Sequence, residues 1–480
     1  MPKDSQLIPV FNKWYREYGD VVSFRILGVN QVVLNTEKAA NDLFVQRGNN
    51  YSDRGAPTAV AEGISKGRIT ALIDRTDTWR QHRKLLHNVL SGPATTRYEP
   101  FIELEATYTL YDLLTSPKAF SDHLERYAYG IVFRVGLGRR VKDLNDYVVK
   151  ESLKGTDDVL KAFRPDKFAS NIWPLLIRAP DWLVPSNKIL KNQVARTEKL
   201  IQLMAKDLKA GMRDGSAPES LQRWFLEHIH EFDLTEEHGS WIFMSLISAG
   251  TRSPYNALMS HVIAMMQHPG WQRKIQEEVD RVVGKDRLPN FQDIPNLPTV
   301  RAAIKEGIRY RSIVAEIGIP HKLDRDDFYN GLFIPKGTIL HANYSAILSD
   351  PELYPDGPVY NPARWLDPSY PTYKEPLTVY PSLQGFTSFG YGRRACPASN
   401  FTERALTVMV ARLAWAFDIK QTVDPETKMV LPLNIRYEPT PNPKPLPFPA
   451  TFVVRDQGRA EMIRTQEEKE RLADPLLREK

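Results

Sequence analysis

Cysteine is almost missing from this chain of 480 residues: Cys396 is its one example. A disulfide framework is therefore excluded. No uninterrupted apolar run approaches the ~20 residues that a spanning helix needs, and mean hydropathy is −0.40. A polytopic membrane protein is excluded as well. The opening residues, Met1-Pro2-Lys3-Asp4-Ser5, lack the apolar stretch of a signal peptide. An N-terminal membrane anchor is thus expected to be absent, and the chain reads as soluble or peripherally bound. Nor is there a dense block of one charge. The 64 basic and 58 acidic residues leave a net charge of +6, a mild excess that suits an acidic protein partner or an anionic membrane surface. No Lys/Arg cluster interleaved with aromatics appears, so no nucleic-acid partner is expected. What the chain does have is 42% hydrophobic and 10% aromatic residues. That is too much for a disordered chain and enough for a large core.

Val22, Phe24 and Ile26 alternate with polar residues, and Gly28-Val29-Asn30 turns the chain into Val32-Val33-Leu34, which predicts a β-hairpin. Helical spacing follows from Thr36 to Phe44 and from Asp77 to Leu90. The stretch from Phe168 to Val184 is apolar and aromatic but broken by prolines. It is expected on the surface between helices, with core packing as the alternative. The strongest helical signal starts at Asp233, with Glu236 three residues on as a capping box, and ends near His268. Its middle, Trp241 to Ala249, is apolar nearly all round and should be buried; Pro254 should kink it. Further helices are expected over Trp271–Val283, Leu297–Tyr310 and Asn400–Phe417, edge strands in the Pro-rich stretch from Glu438 to Val454, and partial disorder from Glu461 onward. Helix dominates and strands are few.

The most informative stretch is Phe389-Gly390-Tyr391-Gly392-Arg393-Arg394-Ala395-Cys396-Pro397-Ala398. Gly390, Gly392 and Ala395 match a dinucleotide fingerprint, but that motif needs a preceding strand and βαβ repeats, and neither is in sight. A free cysteine is most often a small buried residue. Here two glycines permit a tight turn and close approach to a flat ligand. Backbone N–H groups in such a turn can hold a thiolate. Arg394 adds a cation, and the dipole of the following helix favours the anion.

This loop resembles the haem-binding loop of the cytochrome P450 family, F-x-x-G-x-R-x-C-x-G, with Phe389, Gly392, Arg394 and Cys396 in register and Ala398 at the last glycine. The resemblance implies that Cys396 is the axial thiolate of the iron of haem b, a ligand that favours O–O cleavage. Other segments resemble the family in the right order. Trp79-Arg80-Gln81-His82-Arg83 is similar to its W-x-x-x-R helix, and i and i+4 share a helix face. Glu306 to Arg309 is similar to its E-x-x-R helix, and Pro362-Ala363-Arg364-Trp365 to its P-x-R-F/W segment. The resemblance implies propionate binding by Trp79, Arg83, His321 and Arg394, with Arg54 as a further candidate and Phe389 and Gly390 as parts of the loop. It implies a structural triad of Glu306, Arg309 and Arg364. It also implies one mainly α domain with a small β region, the cytochrome P450 fold, over residues 1–480, although length alone favours about three domains.

The resemblance implies a monooxygenase that takes electrons from NADPH through a flavoprotein reductase and uses O₂ to oxidise a lipophilic small molecule. Its texture is most similar to fungal members anchored to the cytoplasmic face of the endoplasmic reticulum, so peripheral membrane contact and a role in secondary metabolism are expected, with the chain as a monomer. Arg80, Lys84 and Arg393 would meet the acidic reductase. The distal helix departs from the family pattern A/G-G-x-D/E-T-T/S, reading Ala249-Gly250-Thr251-Arg252-Ser253-Pro254. Gly250 is expected to leave room for O₂, and Ser253 to keep the hydroxyl that orders a proton-delivering water. Arg252 cannot shuttle protons as an acid does. Either it turns to an ion pair, or it binds a substrate anion. The second reading resembles peroxide-using members of the family and keeps a peroxygenase or phenol-coupling alternative open. A non-catalytic haem protein is the remaining class. Met244, Ile247, Ser248 and Ala249, with Val314, Ile317 and Ile319, are expected to line the substrate cavity.

Overall fold

The computed structural model describes residues 7–26, 28–164, 166–311, 318–438 and 442–477. Its longer helices are α1 Leu7–Tyr18, α2 Asp77–Leu90, α3 Glu99–Thr115, α4 Phe120–Leu137, α5 Tyr147–Ala162, α6 Ser186–Asp214, α7 Glu236–Gln267, α8 Pro269–Val283, α9 Pro298–Tyr310, α10 Ser399–Ala416 and α11 Gln457–Ala473. The strands are β1 Val21–Ile26, β2 Val29–Leu34, β3 Asp53–Arg54, β4 His321–Lys322, β5 Asp327–Tyr329, β6 Leu332–Ile334, β7 Ile339–Ala342, β8 Phe417–Lys420 and β9 Thr451–Val454.

The expected hairpin is β1–β2, and β2 then pairs in parallel with β7. The largest sheet runs β1-β2-β7-β4-β3. Its last pair sets Arg54 opposite His321, so two nitrogen-bearing side chains far apart in sequence share one sheet end. Helix α7 runs through the core and packs most extensively against α4. One hydrophobic cluster extends from Val32 to Ile463, and a satellite cluster gathers Val60, Ile64, Phe168 and Leu190. Helix α2 starts where Thr76 accepts a hydrogen bond from the Trp79 N–H, which caps an orphan donor of its first turn.

Several expectations are corrected. The cap of α7 is Thr235, whose hydroxyl accepts from the His238 N–H, and not Asp233; a hydroxyl one residue before the first helical turn has the shorter reach. Pro254 does lie inside α7, as expected. Lacking an N–H, it leaves the Gly250 carbonyl without its i+4 donor. Among its described residues the Pro-rich stretch holds β9 and the isolated bridge Tyr437–Pro445. The charged C-terminal stretch is helical, not disordered. Asp456 caps α11, Ala460 and Ile463 are buried on one face, and Asp474 is clamped by Arg134 at 3.0 and 2.8 Å. The stretch 168–184 splits. Phe168 is buried, whereas Trp173, Leu175, Trp182 and Leu183 are exposed. Asn187 fixes it by donating to the carbonyls of Leu176, Ile177 and Ala179.

Candidate haem site

The cysteine loop is shaped by two short 3₁₀ turns, Thr387–Phe389 and Gly392–Arg394. No strand leads into it, which dismisses the dinucleotide reading. The Cys396 N–H donates to the Phe389 carbonyl at 2.7 Å and closes the loop. Gly390 and Gly392 have φ of +80° and +50°, the region that favours glycine. A Cβ on Gly392 would lie 2.3 Å from the Phe44 carbonyl oxygen, so only glycine lets the loop rest on the segment after β2. Glu37 braces that contact, its Oε2 accepting from Thr387 Oγ1 at 2.7 Å and the Tyr391 hydroxyl at 2.8 Å. Burial pushes the Cys396 thiol up from its ordinary value, against the lowering effects of the Ala398 N–H and Arg83.

The predicted anion-binding residues converge on this loop. Arg83 on α2 donates to the Ala395 carbonyl at 3.0 Å. Arg394 donates to the carbonyls of Ser52, Thr70 and Ile73, and its guanidinium lies 4.5 Å from the Trp79 ring. Arg54 donates to the Ile319 carbonyl at 2.7 Å, while its Nε is buried without a partner. His321 shares Nδ1 with the Tyr51 carbonyl at 2.7 Å and stacks on Phe44. Burial lowers the Arg54 guanidinium to about 10, and Arg83 adds to this. Burial lowers Arg394 to about 9, with Arg54 and Arg83 adding to it against Asp53 and Asp74. Arg83 is also lowered, and His321 is held well below its usual range. Cations withdrawn from water and set close together are costly unless an anion joins them. A planar ligand with two carboxylates, seated against a thiolate, supplies that charge. The residues therefore fit haem: Cys396 would hold the iron, and Trp79, Arg83, Arg54, His321 and Arg394 would hold the propionates.

The expected triad is assembled. Glu306 is fully buried. It accepts from Arg309 Nε and Nη2 at 2.8 and 2.7 Å and from Arg364 Nε at 3.3 Å. Two further donors were not anticipated: Trp365 Nε1 at 3.1 Å and the Asn361 N–H at 2.9 Å. The rest of both guanidiniums goes to backbone carbonyls, including Leu348 and Asp356. The triad thereby staples α9 to the segment before the cysteine loop.

On the distal helix, Ala249 is exposed and Ser248 and Ser253 are half-buried, although residues on either side are closed into the core. Positions 249 and 253 share a face, so this face of α7 borders an open space. Ser253 Oγ donates to the Ala249 carbonyl at 3.4 Å. A Cβ on Gly250 would stand 3.2 Å from Val132 Cγ2 on α4, so its small size also serves the crossing of α7 and α4. Met244 and Ile247 are buried in the core, 5% and 1% exposed, and do not line the open face; their apolar character serves packing. Ile319 is half-buried beside Arg54, and Val314 and Ile317 lie outside the described residues. Arg252 takes the ion-pair reading, with Asp157 Oδ1 on α5 at 3.1 Å and with Glu438 Oε2. Neither acid has a sequence signal tying it to position 252.

Comparison with known proteins agrees with this geometry. A family model described as cytochrome P450 matches residues 2–442. The chain is 44% identical over 459 residues to the cytochrome P450 monooxygenase psoD of Aspergillus fumigatus, covering 95% of this chain and 88% of that one. It is 31% identical over 428 residues to the cytochrome P450 monooxygenase virE of Hypocrea virens, covering 89% and 77%. Among solved structures it resembles a zebra fish cytochrome P450 with progesterone, at TM-score 0.74 and 22% identity, covering 95% and 100% of the two chains. The chain belongs to the cytochrome P450 family and is a monooxygenase of mainly helical fold.

Proposed function

We propose that this protein is a haem-thiolate monooxygenase that receives electrons from NADPH through a flavoprotein reductase and oxidises a lipophilic small molecule in fungal secondary metabolism. The observation that carries this reading is the convergence of Arg54, Arg83 and Arg394, cations withdrawn from water, on the loop that carries Cys396. When bound, the haem supplies reduction of O₂ and transfer of one oxygen atom to substrate. The chain's own residues do the rest. Arg54, Arg83 and Arg394 neutralise the propionates and fix the plane of the ligand. The Gly390–Cys396 loop holds the sulfur, and α7 presents the open face around Ala249 and Ser253. Curated relatives that are fungal monooxygenases support the metabolic setting.

Among the described residues no helix is long and apolar enough to cross a membrane. The exposed Trp173, Leu175, Trp182 and Leu183 support peripheral contact with the endoplasmic reticulum, since apolar patches on a surface mark interaction sites. On the cysteine side, Arg393 is exposed and Lys84 is held by the Glu231 carbonyl; these cations support reductase docking. The peroxide-using alternative drew on a free Arg252, and two carboxylates now occupy that guanidinium. The test is oxygen uptake by the purified holoenzyme. Uptake that needs both NADPH and reductase is expected. Decomposition of hydrogen peroxide with no NADPH-dependent uptake would overturn the proposal in favour of the peroxide-driven class.

A further inference from the structure

Reducing one atom of O₂ to water while the other enters substrate consumes two electrons and two protons. NADPH supplies the electrons; the protons must come from solvent through the distal side. The family places a carboxylate on the distal helix for this delivery, and here that position is Arg252, whose guanidinium keeps its protons. Ser253 has a hydroxyl on the face that borders the open space but no acid beside it on the helix.

The contacts of Arg252 show which acids stand near. Its side chain is 12% exposed, whereas those of its partners Asp157 and Glu438 are 52% and 32% exposed. The cation is thus the inner member of the cluster, and the acids connect it to solvent. Other ionisable groups of the neighbourhood are otherwise engaged. Tyr129 is hydrogen-bonded to Thr251, and burial pushes its phenol well above the usual range. Tyr255 is paired with Ser121 and likewise raised by burial. Glu125 is bound to Lys444 at 2.6 Å, and Lys444 also accepts the Glu438 N–H at its carbonyl. Of the two acids, Glu438 is the less exposed and comes from the segment that packs beside α7, where Asn256 donates to the Pro443 carbonyl at 3.1 Å.

We propose that Glu438, held against the distal helix by Arg252, is the carboxylate of the proton route, with acid and cation exchanged relative to the family pattern. Arg252 is then a positioning residue. Glu438 accepts a proton from solvent and releases it through ordered water to the Ser253 oxygen, which gives up the one proton it held; each group ends in its starting state. This rests on the monooxygenase reading.

The experiment needs no knowledge of the substrate. Without substrate, holoenzyme and reductase can reduce O₂ to hydrogen peroxide with one NADPH or to two waters with two. Delayed proton delivery favours release as peroxide. Glu438→Gln keeps the acceptor for Arg252 but loses the shuttling carboxylate. It is expected to raise peroxide formed per NADPH at least threefold and to change the solvent deuterium isotope effect on NADPH oxidation. The exchange variant Arg252→Glu with Glu438→Arg is expected to return both to within twofold of the parent. Urea unfolding of the single and double variants should show non-additive midpoints, because the two side chains touch. Unchanged peroxide yield and isotope effect in Glu438→Gln would overturn the proposal, as would an exchange variant no better than the single ones. Absence of a haem spectrum in the parent protein would instead defeat the underlying reading.

Discussion

Replacing Glu306 by glutamine should remove a large share of the stability of the fold. The carboxylate is fully buried and accepts five hydrogen bonds, from Arg309 twice, Arg364, Trp365 and the Asn361 N–H. The Arg309 and Arg364 side chains are each 1% exposed, and their other bonds go to carbonyls. The amide in Glu306→Gln matches the carboxylate in shape but turns an N–H₂ toward existing donors and strips both cations of their counter-charge. Breaking a buried pair in this way costs about 3–5 kcal/mol, against a total of roughly 5–15 kcal/mol for a typical protein. The matched control is Glu227→Gln. It loses an exposed i,i+4 pair with Arg223 and should cost under about 0.5 kcal/mol. Urea unfolding followed by circular dichroism measures both, and the ratio of haem to protein reports whether the cysteine loop keeps its place. A loss below about 1 kcal/mol for Glu306→Gln, with normal haem content, would refute the reasoning that this triad staples α9 to the loop.

Arg83→Met should move the Cys396 thiol still higher in the haem-free protein, because Arg83 is one of the two groups that lower it. The pH profile of iodoacetamide labelling at this lone cysteine checks the shift, and an unmoved or lowered midpoint would contradict it. His261 is buried and His341 half-buried, and withdrawal from water lowers each to about 4. Unfolded histidine binds its proton near 6.5, so the unfolded state takes up more protons between about pH 6.5 and 4. Stability should therefore fall with acidification through that window and stay flat above it, by up to about 1.4 kcal/mol per pH unit for each ring. His261→Asn should make the fall shallower in urea titrations at pH 7 and 5; an unchanged slope would argue against a buried neutral ring. Trp182→Glu should weaken sedimentation with anionic phospholipid vesicles about tenfold, the scale of one lost aromatic contact of roughly 1.4 kcal/mol. Equal binding would remove the 173–183 surface from the membrane reading.

Much of the fold and the proximal side of the site was legible in the sequence because the information there is local. The alternation around Val22–Leu34, the helical spacing of Asp77–Leu90 and the glycine-cysteine loop each state their geometry within a few residues. The anion-binding set became readable only through resemblance, since Arg54 and His321 meet across a strand pair that joins distant parts of the chain. Three things escaped. The C-terminal helix hides among charges because its anchor is a long-range pair, Arg134 with Asp474. Met244 and Ile247 lie on a helix that is apolar nearly all round, and no periodicity distinguishes the side facing α4 from the side facing the open space. The acids at Arg252 come from α5 and from a segment after β8, a convergence that only tertiary structure reveals.

The central claim is that Cys396 is the thiolate ligand of a bound haem. The most direct measurement is the absorption spectrum of the dithionite-reduced protein under carbon monoxide, recorded beside the Cys396→Ser variant. The account predicts a strongly red-shifted Soret band in the parent protein and its loss in the variant. A haem-free parent protein, or an unshifted band that survives in the variant, would contradict it.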